Sequence, residues 1–326
     1  MKPNIIEHQI IAVYAPFAML AWMQLELFSQ LSSSSKDVES LSKRIGVKAS
    51  KLRPLLYSLV SAGLLEEKSG MFSNSGEADH FLVKGKPDYI GGWHEVLSDL
   101  WSATLQTAES IRQGKPQAKH DFEAMSAEEL NAFLGGMHSA TMGTGRQLAE
   151  TYEFSRFHDM VDVGGGSGGS AIAACELCPN LKATVAELPS IVPFSQRFIE
   201  EAGMEERIDV IGIDLVQEHF TGRYDVALLR NFSQVLGPES AAKSLQHVGE
   251  AMQTGGEIYI VGYVLNDDRR SPPETAAYNL VFLNLYDEGQ AYTESEYKTW
   301  LEAAGFKDFQ RIEQTRGYSL IRAIKK

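Results

Sequence analysis

A strand-like run, Val161-Asp162-Val163, leads directly into Gly164-Gly165-Gly166-Ser167-Gly168-Gly169-Ser170 and then into a helical segment over residues 171–177. Glycines in such a turn let the backbone fold back tightly and approach a ligand, and the helix that follows offers unpaired N–H groups. This is a nucleotide-type site. Gly164, Gly166 and Gly169 also meet the G-x-G-x-x-G spacing of dinucleotide-binding turns, so a nicotinamide-dependent oxidoreductase is one reading of it. Glu187 closes the next strand-like run, 23 residues beyond Gly164, where a carboxylate can accept from ribose hydroxyls with either cofactor. Asp214, in Gly212-Ile213-Asp214-Leu215, follows a third run and can accept from an adenine amino group. Asp162 separates the two readings. Its charge, two residues before the turn, would repel a pyrophosphate and attract a sulfonium that also carries an ammonium group. The expected cofactor is therefore S-adenosylmethionine, leaving S-adenosylhomocysteine as product, with NAD as the rival.

Other chemistry-bearing residues carry weaker signals. Cys175 and Cys178 have C-x-x-C spacing, but a chain with two cysteines has no second ligand pair, so no metal is expected. His138, after Met137 in Gly135-Gly136-Met137-His138-Ser139, could serve as a base or an orienting donor. His94 is a lesser candidate, and His247 lies on a polar helix and reads as solvated.

The elements that must position these residues fall into three textures. Residues 1–86 contain helix-periodic segments at Val38–Ile45 and 49–65 around a Gly46 turn, then two short strand-like runs around Ser69-Gly70, which is a winged-helix pattern. Lys48, Lys51 and Arg53 could face DNA, but Glu66 and Glu67 make the wing acidic, and packing between subunits is the preferred role. Residues 87–156 read as a helical connector contributing to a substrate pocket. Residues 157–326 alternate strands, at 160–163, 183–186, 208–211, 225–229 and 258–261, with helices, implying a parallel doubly wound sheet. The fold class is α/β: a Rossmann-like domain preceded by an α-helical winged-helix domain.

The chain has 326 residues and 44% hydrophobic content, enough for a full core, and its formal charge of −13 disfavours nucleic acid and anionic membranes as partners. With so few cysteines, a reducing, cytoplasmic setting is expected. The apolar run over residues 10–23 is about 14 residues, short of the ~18 needed to span a bilayer, and Pro16 interrupts it. It reads as neither signal peptide nor anchor.

Several of these motifs together are specific. Val161 to Gly169, Glu187-Leu188-Pro189, Gly212-Ile213-Asp214-Leu215, the run Tyr224 to Asn231, Gly255-Gly256-Glu257 and the ending through Ala304-Gly305-Phe306 resemble the plant-type and bacterial natural-product O-methyltransferases, the caffeate and acetylserotonin methyltransferase family. The resemblance covers essentially the whole chain. It implies a class I S-adenosylmethionine-dependent methyltransferase of secondary metabolism with an N-terminal dimerisation domain, in which the run over residues 10–23 is an intersubunit helix of a homodimer with Leu20 and Trp22 at the contact. By the same resemblance the turn at Gly164, Gly165 and Gly166 holds the methionine part of the cofactor, beside Asp162 as its charge suggested, Glu187 takes the ribose, Asp214 and Leu215 the adenine, and Leu188 and Arg230 line the cofactor site. Met137, Tyr278, Asn279 and Phe282 line the pocket of a small, aromatic or hydrophobic acceptor.

Two departures stand out. The family's O-methylating members place a histidine four residues beyond the position of Arg230, where this chain has Gln234, and a supporting glutamate before Thr293, where it reads Gly289-Gln290-Ala291-Tyr292-Thr293. Glutamine cannot act as a base near neutral pH. Three readings follow: methylation of a nitrogen, carbon or sulfur that needs no strong base; O-methylation of an acidic hydroxyl, with a base such as His138; or a protein of this fold that does not methylate.

Overall fold

The computed structural model describes residues 2–86, 88–314 and 317–326, in two compact units, Met1–Ser98 and Asp99–Lys326. The first begins with α1 (Asn4–Ala12), α2 (Tyr14–Gln24) and α3 (Leu27–Leu31), followed by α4 (Val38–Ile45), α5 (Ala49–Ser61), the hairpin β1 (Leu65–Lys68) and β2 (Met71–Asn74), and α6 (Gly76–Leu82). Asp37 caps α4 by accepting from Ser40 N–H at 2.8 Å, and Gly46 ends it in the left-handed region at φ +71°. The winged-helix pattern read from the sequence is present, and Arg53, one of its basic residues, pairs with Glu39 at 3.5 Å.

The apolar run is longer than the sequence reading made it. Asn4–Gln24 has the length and composition to cross a membrane. Its two ends differ: Ile6, Ile10 and Phe17 are exposed, whereas Ala18, Trp22 and Met23 are buried in this unit's own core with Leu27, Leu41 and Leu56. Trp22, fully buried, is a core residue and not the surface contact expected of it.

Helix α7 (Trp93–Thr104) is followed by α8 (Thr107–Gln113) and the 25-residue α9 (Ala127–Thr151), opened by a reciprocal cap between Ser126 and Glu129. The α/β part then runs β3 (Asp159–Val163), α10 (Gly169–Leu177), β4 (Lys182–Glu187), α11 (Val192–Glu201), β5 (Ile208–Gly212), β6 (Tyr224–Arg230), α12 (Pro238–Ala251), β7 (Met252–Leu265), α13 (Pro273–Leu285), β8 (Tyr292–Thr293), α14 (Glu294–Ala303), β9 (Phe306–Glu313) and β10 (Tyr318–Lys325). The sheet order is β5-β4-β3-β6-β7-β10-β9, with β8 on β7. The strands from β5 to β7 are parallel, as the alternation implied, while β10 and β9 add an antiparallel pair at one edge. Strand order reverses between β3 and β6, so a ligand crevice opens beyond their carboxyl ends.

That crevice is where the candidate residues lie. The glycine turn leaves β3, Glu187 ends β4, Asp214 follows β5 and Arg230 ends β6. The core beneath is apolar on both faces, including Val161, Val163, Ala227, Leu229 and Ile260 on one side and Met160, Val185, Leu228 and Tyr259 on the other.

Candidate active site

The glycine turn has the backbone of a ligand cradle. Gly164 (φ +62°), Gly166 (φ +55°) and Gly168 (φ +71°) adopt left-handed conformations, and a β-carbon at Gly164 would stand 2.5 Å from the Phe232 ring. At Gly165 it would stand 2.8 Å from the Asp162 carboxyl carbon. Asp162 is 1% exposed, and its Oδ2 has no hydrogen-bond partner among the described residues. Burial pushes its carboxyl up to about 7; a backbone N–H from Ala171 works against that, and the nearby Glu187 adds to it. A buried carboxylate oxygen with an open lone pair beside a close-approach turn fits a cationic group of the cofactor.

Glu187 is also buried, and burial raises its pKa although two N–H donors oppose the shift. Its Oε2 accepts from Gly166 N–H at 2.9 Å and its Oε1 from Leu188 N–H at 2.8 Å. The carboxylate therefore braces the turn while each oxygen keeps acceptor capacity for a ribose hydroxyl. Asp214 is half-buried and accepts from Val216 N–H at 2.9 Å. The carbonyl of the buried Leu215 accepts from His247 Nδ1 at 2.9 Å. His247 is 2% exposed, so the solvated role read from its polar helix is corrected: α12 turns this residue inward onto the loop after β5.

Helix α9 covers the turn with one stripe and faces β6 with another. Leu134 lies 3.3 Å from where a Gly166 β-carbon would be, and Thr141 and Gly145 pack closely against Gly169 and Ser170. On the adjoining stripe Thr144 accepts from Arg230 Nε at 3.0 Å, and half-buried Met137 lies two turns earlier. His138 belongs to the turn-facing stripe. Its Nδ1 lies 2.8 Å from Ser167 Oγ, its ring stacks on Phe198 at 4.5 Å, and burial lowers its pKa. These contacts make it a brace between α9, the glycine turn and α11.

Gln234 is fully buried in the short turn Ser233–Val235. Its Nε2 donates to the Tyr263 carbonyl at 3.4 Å, its Oε1 is unpartnered among the described residues, and its amide lies so close over Gly262 that no β-carbon fits there. Ala291 is buried with Leu265 and Phe282, so no carboxylate stands at that position. Tyr278 stacks on Tyr263 at 4.0 Å, Phe282 packs edge-on against both, and Tyr318 lies 4.4 Å from Tyr263. Asn279 braces the chain by accepting from Ala291 N–H at 2.8 Å. A groove of about 570 Å³ borders α13 along Ala276, Asn279, Leu280 and Leu283 and reaches Tyr286 at its end; Tyr278 and Phe282 are not in its lining. Cys175 and Cys178 are free and buried, and burial pushes the Cys175 thiol up to about 11.

The model of the O-methyltransferase domain family matches residues 107–307. The chain belongs to this family. It is a methyltransferase dependent on S-adenosylmethionine, and the resemblance read from its motifs is the relationship found. The 3-hydroxy-5-methyl-1-naphthoate 3-O-methyltransferase of Streptomyces sahachiroi is 28% identical, over 95% of this chain and 91% of its own. The N,N-dimethyltransferase OxyT of Streptomyces rimosus is 24% identical, over 94% and 92%. Human N-acetylserotonin methyltransferase, solved in complex with S-adenosylmethionine, superposes with a TM-score of 0.84 at 24% identity, covering 99% of this chain and 97% of that one.

Sequence reasoning missed Thr144, Tyr263, Tyr318 and the inward turn of His247. It also missed Asp99 and His120 in this methyltransferase, which are 21 positions apart on different elements and meet through packing with no local motif.

Proposed function

We propose that this methyltransferase transfers the methyl group to a planar aromatic metabolite without the family's histidine base, acting on a nitrogen, carbon or sulfur nucleophile or on a hydroxyl acidic enough to ionise unaided. The observation that carries this is Gln234: it is sealed over Gly262, bonded to the Tyr263 carbonyl, and has buried Ala291 where the resemblance leads one to expect a glutamate. A base is needed only where the acceptor's proton must leave, so the acceptor supplies its own nucleophilicity.

Asp162, the turn from Gly164 to Gly166, Glu187, Leu188, Asp214, Leu215 and Arg230 would hold the cofactor, which when bound supplies an electrophilic methyl on a sulfonium. The protein's task is then to hold the nucleophile close and on axis, which the rigid aromatic surfaces of Tyr278 and Phe282 are suited to do. His138 serves that task by fixing α9 to the turn and is a positioning residue in this reading. A fused-ring acceptor agrees with the naphthoate that names the Streptomyces sahachiroi relative, and nitrogen as nucleophile agrees with the name of OxyT.

Incubation with methyl-labelled S-adenosylmethionine and a panel of aromatic amines, acidic phenols and simple alcohols, followed by mass spectrometry, tests the reading. Label should enter amines or acidic phenols, and Gln234→Ala should lower kcat less than about tenfold, since no proton transfer is lost. Efficient methylation of unactivated alcohols would overturn it. We further propose a homodimer assembled through the exposed stripe of α1 and α2.

A further inference from the structure

Asp99 on α7 and His120, between α8 and α9, form a pair apart from the cofactor residues. His120 Nε2 lies 2.7 Å from the Asp99 carboxylate, and the imidazole is 7% exposed while Asp99 is half-exposed. The segment carrying it is fastened to the end of α13, where Ala118 N–H donates to the Asn284 carbonyl at 3.2 Å and His120 N–H to the Leu285 carbonyl at 2.9 Å. Phe122, Phe133 and Tyr286 stand edge-on around the ring at 6.1, 5.5 and 6.2 Å. Nδ1 is buried and has no hydrogen-bond partner among the described residues.

The two nitrogens of an imidazole point in nearly opposite directions. With Nε2 turned outward to Asp99, Nδ1 is turned inward among the aromatic rings. A carboxylate accepts from Nε2–H, which leaves Nδ1 of the neutral ring as a lone-pair acceptor. A buried acceptor without a donor is costly, and a ligand that brings one relieves that cost. Tyr286, which also lines the end of the groove along α13, continues the aromatic row: it lies 6.5 Å from Phe282, which lies 5.5 Å from Tyr278. From Tyr278 to Tyr286 the helix advances about 12 Å.

We propose that His120, held in one tautomer by Asp99, is an acceptor-recognition residue whose Nδ1 takes a hydrogen bond from a hydroxyl or N–H at the end of the aromatic acceptor remote from the methylated atom. This rests on the aromatic-acceptor reading and narrows it: the acceptor is a fused or linked ring system long enough to run along Tyr278, Phe282 and Tyr286, with a donor at its far end.

Two measurements test it. Long-range ¹H–¹⁵N correlation in labelled protein should place the proton of neutral His120 on Nε2; an Nδ1–H tautomer overturns the proposal. Binding of 2,6-dihydroxynaphthalene and 6-methoxy-2-naphthol to the S-adenosylhomocysteine complex should favour the diol by about tenfold in the unaltered protein, with a shift of the Nδ1 resonance. His120→Phe, which keeps a ring in the aromatic cage, should abolish that preference, and Asp99→Ala should reduce it. An equal preference in unaltered protein and His120→Phe, or no binding of either compound, overturns the proposal. Failure of the unaltered protein to bind S-adenosylhomocysteine is a different result, and it overturns the cofactor assignment beneath the proposal.

Discussion

Asp162 carries the clearest consequence at the scale of a single residue. Its carboxyl is pushed from 3.8 up to about 7 by burial, so the folded state holds a proton that the unfolded chain gives up near pH 4. Stability is therefore undiminished by this group below pH 4, and it falls as pH rises through about 7, by a few kcal/mol at most. A bound cation reverses the balance by favouring the carboxylate, so binding releases a proton below pH 7. Two results follow for Asp162→Asn. Without ligand, its melting temperature at pH 8 should exceed that of the unaltered chain by several degrees, and the gap should close toward pH 4. Its affinity for S-adenosylhomocysteine at pH 8 should fall at least about tenfold, since a charge-assisted contact is lost. Calorimetric binding and thermal melts across pH 4–8 measure both. Equal affinity in the two proteins would remove Asp162 from the cofactor site.

At the scale of elements, the crossing of α9 over α10 ties the acceptor side to the cofactor side. Gly145 lets α9 lie directly on the Ser170 backbone, and Thr141 sits equally close to Gly169. A side chain at position 145 would have to push α9 outward, because its neighbour is main chain that cannot rotate away. Gly145→Val should destabilise the fold by roughly 1–3 kcal/mol, lowering the melting temperature, and weaken S-adenosylhomocysteine binding in parallel, whereas Gly143→Ala, with open space around it, should do neither. Thermal shift with and without the ligand distinguishes them. The elements themselves were largely legible: glycine turn, strand-end carboxylates and winged helix follow from local pattern, because period and turn chemistry are local. The antiparallel β9–β10 edge was not among the five strand-like runs read from the sequence, because its place is set by pairing with β7 and not by a local period. What escaped were Thr144, the partner of Arg230, and the pair of His120 with Asp99, because these contacts depend on packing between elements that no spacing along the chain encodes.

For the whole molecule, the question is what covers the N-terminal stripe. Ile6 (63% exposed), Ile10 (59%), Tyr14 (59%) and Phe17 (41%) recur at three- and four-residue spacing along α1 and α2 as an apolar stripe, with Ile5 and Ile11 exposed beside it. A face of that composition calls for cover by another apolar surface. The residues below it on the same run, Ala18 and Trp22, are committed to the unit's own core, which anchors α2 to the winged-helix domain. A second copy of the chain offers the same stripe, and an isologous pairing would cover both at once. Charge placed on the stripe and charge placed in the core should therefore act differently. Ile6→Asp with Ile10→Asp should yield a folded monomer by light scattering at micromolar concentration, with helix content retained. Trp22→Asp should lower the melting temperature sharply instead, because it buries an unpaired charge in a fully packed position. Unaltered protein that runs as a monomer at that concentration would leave the stripe to another partner, and binding to neutral phospholipid vesicles would then identify that partner as a membrane surface.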